Sequence, residues 1–187
     1  DLLAKYKING NPKFRIFKNT DHDLENELEQ YMQKDLEEEF VVKADGLMGG
    51  KGVKVSGEHL ANSSEGADFA IQCIKKFGQV VVEEKFIGQE FSLMCFCDGT
   101  HVIPMPAVQD HKRAYNNDEG PNTGGMGSYS DANHLLPFLK QSDIDEAIEI
   151  TEQTAKALFD ETGSLFKGIM YGGFIATKNG AKLIEFN

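Results

Sequence analysis

Apolar positions along the chain repeat with two periods, and the switches between them set the expected order of elements. Leu24, Leu28, Met32 and Leu36 recur every four residues with acids between them. That predicts an amphipathic helix whose acidic side faces water, with Thr20 or Asp21 as its cap. Ser63-Ser64-Glu65-Gly66 opens a second helix that turns Phe69, Ala70, Cys73 and Ile74 inward, and Gly78 ends it. A third starts at Ser142 and puts Ile144, Ala147, Ile148, Thr151, Ala155 and Leu158 on one face. Between the helices, Phe14–Phe17, Phe40–Val42, Val53–Val55, Gln79–Glu84, Glu90–Cys97 and Val102–Met105 read as strands. Asn179-Gly180, between Ile169–Thr177 and Lys182–Asn187, is a strong hairpin signal. Residues 107–133 show no period and much Gly, Asn and Asp, so a long functional loop is expected there. Hairpins outnumber βαβ units. The expected fold class is α+β, with antiparallel sheets carrying helices on one side.

Composition narrows the class. The 187 residues suffice for one domain or two small ones, and 40% hydrophobic with 26% charged residues suits a globular chain. No apolar run approaches the ~20 residues of a membrane span, and no secretory leader opens the chain. Net charge is −11, which argues against a nucleic-acid partner but leaves room for one nucleotide held by a few converging lysines. Cys73, Cys95 and Cys97 form no disulfide framework. They are expected as reduced, buried thiols in a cytoplasmic protein. The first residue is not Met, so the chain is expected to be part of something longer.

Candidate chemistry starts at KADGLMGGKG, residues 43–52, between two strands. A Walker A loop needs a Ser or Thr after its Lys, and here Gly52 follows Lys51. A dinucleotide fingerprint needs GxGxxG opening a helix, and here a strand follows. What remains is a hairpin loop whose backbone N–H groups can nest an anion, with Lys43 and Lys51 at its ends. Taken alone, a glycine hairpin with surface lysines fits equally. Glu83 to Glu90 links two strands; its backbone can read an adenine edge, and Glu90 can accept ribose hydroxyls. An acidic surface turn is the bland alternative. Gln109-Asp110-His111-Lys112-Arg113 gathers an acid, an imidazole and two cations, and Lys112 and Arg113 suit a phosphate. Gly120-Pro121-Asn122-Thr123-Gly124-Gly125-Met126-Gly127 lets backbone approach a ligand closely. Glu185 and Asn187 share one strand face, as oxygen ligands for Mg²⁺ would.

VVKADGLMGGKGVKV, VVVEEKFIGQEFS, PMPAVQDHKRA, GPNTGGMGSYS and the terminal LIEFN occur in that order. Together they resemble the phosphoribosylamine–glycine ligase (glycinamide ribonucleotide synthetase) family of ATP-grasp enzymes over the whole chain. The resemblance implies an ATP-grasp fold with a nucleotide between two subdomains, expected as residues 1–100 and 101–187. It implies ATP with Mg²⁺ or Mn²⁺ as cofactors, and glycine and 5-phosphoribosylamine as substrates joined through a glycyl phosphate in purine biosynthesis. It also implies roles. Lys43, Gly49, Gly50, Lys51, Gly52, Glu83, Glu84, Lys85, Phe86, Glu90, Arg113 and Asn122 would bind the nucleotide. Asp110, His111, Gly124 and Gly125 would bind substrate. Asp110, Lys112 and Arg113 would act in catalysis, and Glu185 and Asn187 would hold the metal. Tyr171-Gly172-Gly173-Phe174 offers no acid for a second metal. The family has further domains on both sides of this core, so a nucleotide-binding module inactive by itself is an alternative, as is a related carboxylate–amine ligase. A monomer is expected, with no membrane or nucleic-acid partner.

Overall fold

The structure, a computed structural model, describes residues 2–46, 48 and 52–187, with Asp118 described by its backbone only. The chain divides into two compact units. One is Pro12–Lys85, and the other joins Asp1–Asn11 to Phe86–Asn187. The division therefore falls at residue 85 rather than 100. Its cause is pairing: the strand after the division finds its neighbours some eighty residues later.

In the Pro12–Lys85 unit, strands β1 (Phe14–Lys18), β2 (Phe40–Ala44), β3 (Val53–Val55) and β4 (Gln79–Glu84) form an antiparallel sheet in the order β1-β4-β2-β3. Two helices supply the rest of its core, α2 (Leu24–Gln30) and α3 (Ser63–Phe77), numbered after the short α1 (Leu2–Lys5). Alternate strand residues Phe17, Phe40, Val42, Val80 and Val82 are fully buried with Leu28, Met32 and Ile74 from the helical side. The chain enters α2 later than the sequence suggested. Asp21 accepts the Lys18 N–H (2.8 Å) to close a turn, and Asp23 precedes the helix without a side-chain cap. The helix runs on through a π turn at Tyr31–Asp35. The start of α3 is built as a reciprocal cap: Asn62 Oδ1 accepts the Glu65 N–H (3.0 Å), and Glu65 Oε2 accepts the Ala61 N–H (2.8 Å). Gly78 closes the helix at φ +86°.

In the other unit, β5 (Gly88–Cys97), β6 (Val102–Pro104), β11 (Gly168–Thr177) and β12 (Gly180–Phe186) form an antiparallel sheet ordered β12-β11-β5-β6. The 22-residue α4 (Gln141–Thr162) contributes Ile144, Ala147, Ile150, Thr151, Thr154 and Ala157 to its buried side. That stripe is rotated from the expected one, for Ile148, Ala155 and Leu158 are only partly buried. Phe91, Leu93, Cys95, Met170, Phe174 and Leu183 complete the core. Ile8 is buried in the same cluster, and the Leu183 N–H donates to the Gly10 carbonyl (3.0 Å), which ties the first residues to this unit. The β11–β12 hairpin turns at Gly180 with φ +89°. Its register shifts between Gly173 and Phe174: Gly173 faces Glu185 but Phe174 faces Leu183, so Ile184 is an extra residue in β12.

Residues 107–133 are not a bare loop. β7 (Gln109–Asp110) pairs with β10 (Ser128–Tyr129), and β8 (Arg113–Tyr115) pairs with β9 (Glu119–Asn122). Strands this short carry no readable period, because their stability comes from the partner strand. Among the described residues no helix is long and apolar enough to cross a membrane.

Candidate functional site

In the Pro12–Lys85 unit, Lys43 stands on β2 and Glu83 on β4. Their register sets them diagonally, and Lys43 Nζ lies 2.5 Å from Glu83 Oε1, both side chains largely buried. The carboxylate holds the ammonium in place and offsets its desolvation. Glu84 Oε1 accepts the Lys13 N–H (2.7 Å). Lys85 Nζ donates to the Ser56 carbonyl (2.9 Å) and pairs with Glu39 (3.1 Å). The N–H groups of Glu84 and Lys85 donate to the carbonyls of Lys13 (2.8 Å) and Glu39 (3.0 Å). These two N–H groups are thus already engaged within the unit. At the glycine hairpin the Ala44 N–H donates to the Gly52 carbonyl (2.8 Å), closing its base. Gly46 lies against the Phe77 ring, where a Cβ would collide. Gly49, Gly50 and Lys51 lie outside the described residues.

In the second unit, Glu90 stands on β5, and Glu185 and Asn187 lie at the end of β12. All three project from the sheet face opposite α4: Phe91 and Phe186 beside them pack with the core, and the pairing of Glu185 with Gly173 and of Gly173 with Ser92 keeps Glu185 on the Glu90 face. Asn187 Nδ2 donates to Glu185 Oε1 (3.3 Å), so the pair is already in contact. A carboxylate and an amide oxygen, both exposed, are a donor set that fits a hard divalent cation retaining waters.

The paired ribbons bring the remaining candidates together. The Met126 N–H donates to the His111 carbonyl (2.7 Å), and the His111 N–H donates to the Gly127 carbonyl (2.9 Å). Thr123 donates to the Lys112 carbonyl through both its N–H (2.7 Å) and Oγ1 (2.9 Å). Gly125, at φ +116°, leaves room for Asp110, whose Oδ1 would sit 3.3 Å from an added Cβ. Around Gly124 the space is open. Arg113 faces Asn122 in the β8–β9 register and donates to the Gly120 carbonyl (3.0 Å). Lys112 Nζ lies 3.7 Å from Glu90 Oε2, so the expected phosphate cation is joined to the expected ribose carboxylate.

The His111 ring, just past β7, stacks on Tyr129, with centroids 5.8 Å apart and planes 13° apart. Tyr129 also donates to Gln109 Oε1 (2.9 Å). Sequence reasoning missed Tyr129, and it missed Ser92 and Tyr171, whose hydroxyl oxygens are 2.8 Å apart on the Glu90 face. Alternation from Glu90 would have found Ser92; Tyr171 needed the register. Two cavities, about 300 Å³ beside Phe96 and Ile103 and about 290 Å³ beside Asn9 and Glu146, touch none of the candidates.

A family model described as phosphoribosylglycinamide synthetase, ATP-grasp (A) domain, matches residues 1–187. The phosphoribosylamine–glycine ligase of Methanothermobacter thermautotrophicus is 47% identical over 190 residues, a match that takes in 100% of this chain and 42% of that protein. That of Methanocella arvoryzae is 44% identical over 187 residues, covering 100% and 41%. The chain thus spans about two-fifths of the length of the curated relatives it matches. Among solved structures, the phosphoribosylamine–glycine ligase from Thermotoga maritima superposes with a TM-score of 0.79 at 31% identity, over 100% of this chain and 45% of that one. The D-alanine–D-alanine ligase from Coxiella burnetii gives 0.69 at 15% identity over 100% and 44%, which shows a shared fold alone.

Proposed function

The chain belongs to the phosphoribosylglycinamide synthetase ATP-grasp (A) domain family, and we propose that it is the nucleotide-binding core of a ligase joining glycine to 5-phosphoribosylamine. ATP is cleaved to ADP and phosphate, and the product is glycinamide ribonucleotide. The observation that carries this reading is the sheet face on which Glu90, Glu185 and Asn187 stand together, with Lys112 reaching Glu90. A carboxylate is a poor electrophile. Transfer of a phosphoryl group to the glycine carboxylate gives an acyl phosphate, whose carbon the amine attacks as phosphate leaves. The protein's share is positioning and charge neutralisation.

Roles follow from placement. Glu90 would accept the ribose hydroxyls, and Lys112 would orient it. Lys43, steadied by Glu83, would meet a phosphate, and so would Arg113 beside Asn122. Glu83, Glu84, Lys85 and Phe86 would line the purine. Asp110, His111, Gly124 and Gly125 would hold the amine substrate. Glu185 and Asn187 would hold Mg²⁺ or Mn²⁺, which when bound draws charge from phosphate oxygens. Cytoplasmic small-molecule chemistry by a monomer belongs to the same reading.

The test is substrate-dependent ADP release. The complete gene product, given ATP, Mg²⁺, glycine and freshly made phosphoribosylamine, should release ADP only when glycine is present. Release with another carboxylate–amine pair and none with this one would assign a different ligation. Binding of ATP without release would leave a nucleotide-binding module.

A further inference from the structure

The face that carries Glu185 and Asn187 also holds a notch that the fold itself does not require. Glu185 pairs with Gly173 and Gly173 with Ser92, one row across three strands. In the next row the Asn187 N–H donates to the Tyr171 carbonyl (2.9 Å), and Tyr171 pairs with Met94. Directly paired residues share a face, and diagonal neighbours reach each other. A carboxylate, an amide, a phenol and a hydroxyl therefore stand around one position that has no side chain.

Neither conformation nor crowding explains that glycine. Gly173 has no positive φ. A Cβ there would meet the Glu185 carbonyl oxygen at 3.7 Å and Cγ at 3.8 Å, ordinary contacts. The adjacent Gly172 differs, since its Cβ would collide with the Phe174 ring. Glycine inside a strand costs stability and marks a bulge or a place where something approaches the backbone closely; the extra residue of the bulge here is Ile184, on the facing strand. At Gly173 nothing among the described residues comes nearer than ordinary contact.

The hydroxyls give the notch its chemistry. Ser92 Oγ and Tyr171 Oη are 2.8 Å apart, and Ser92 is only 8% exposed. One proton serves their mutual bond, and the second O–H is left to donate outward. An outward donor beside oxygen ligands for a cation suits an anionic oxygen.

We propose that Ser92, Tyr171 and the space over Gly173 seat the carboxylate of the small acid substrate, beside the cation position at Glu185 and Asn187. The proposal rests on the ligase reading above. A nucleotide phosphate oxygen has the same chemistry, and the two sources differ in which KM moves. Tyr171→Phe, Ser92→Ala and Gly173→Ala in the complete protein test it, with glycine and ATP varied separately. Each variant is expected to raise KM for glycine about tenfold, with KM for ATP held within about twofold, as for loss of a hydrogen bond to a charged group. A rise confined to ATP would give the seat to the nucleotide and overturn the carboxylate assignment. Unmoved constants in an active, folded Tyr171→Phe enzyme would sink the seat while sparing the ligase. An inactive wild type would sink both. Unchanged ATP affinity certifies that each variant is folded, and Tyr171→Phe keeps its ring should Gly173→Ala fail to fold.

Discussion

Tyr31 shows how one atom sets a cost. Its ring packs edge-on against Phe17 at 5.7 Å inside the first unit's core, and its hydroxyl is buried with no hydrogen-bond partner among the described residues. Burial, with Asp35 nearby, pushes its pKa up to about 12. Removing an unsatisfied buried polar atom while keeping the ring should help. Tyr31→Phe is expected to raise stability by about 1 kcal/mol, read as a higher urea midpoint; a lower midpoint would mean the hydroxyl is partnered after all. The same scale separates what sequence gives about the site from what it withholds. Residue types at Glu90, Lys112, Arg113, Glu185 and Asn187 suggested their chemistry. Their partners did not follow, because Lys43–Glu83 joins residues 40 positions apart through sheet register and Lys112–Glu90 joins residues 22 apart from a link between strands.

At the scale of elements, α3 was legible almost to the residue: Ser63-Ser64-Glu65-Gly66 marks its opening and Gly78 its end, and the structure adds Asn62 as the cap. Asn62→Ala removes the acceptor for the Glu65 N–H. It should cost about 1 kcal/mol, and Asn62→Asp should restore it; thermal melts of the two compare them directly. The β11–β12 hairpin was equally plain from Asn179-Gly180. The ribbons within 107–133 were hidden because two-residue strands have no pattern of their own. Entry to α2 was misread for a related reason. Asp21 can cap a helix or close a turn, and only the position of the Lys18 N–H decides between them.

Over the whole molecule, acids outnumber cations, and two of the cations expected to face phosphate sit against carboxylates, Lys43 with Glu83 and Lys112 with Glu90, as does Lys85, expected along the purine, with Glu39. The thiols set the alkaline limit. Burial raises all three, and Cys95 is pushed from 9.0 to about 11, with Tyr31 moving from 10.0 to about 12. The unfolded chain loses these protons first, so the native state binds more of them above pH 9. Stability is then fully present below that pH and falls as pH climbs through 11 and 12. Urea midpoints should stay level from pH 8 to 9 and decline beyond, less steeply in Cys95→Ala. A level midpoint to pH 11 would contradict the burial of these groups. The division at residue 85 belongs to this scale too. It was illegible because β5 is contiguous with the first unit in sequence yet pairs with β11.

The extra residue in β12 acts like a reading frame for the two faces of its sheet. Leu183 and Glu185 are two apart and would ordinarily point the same way, one into oil and the other with it. Ile184 offsets the count by one, so a hydrocarbon before it faces α4 and a carboxylate after it faces away. Deleting Ile184 would make Leu183 and Glu185 neighbours in a regular ladder, still opposite Phe174 and Gly173, so each would keep its face. The expected outcome is a deletion variant that keeps its melting transition and the cation affinity of the parent; loss of either would mean that the bulge itself shapes the site. Replacing Ile184 by Val should keep both. For this strand, the faces are set by which residues pair across it, and the spare residue at the bulge only takes up the slack between them.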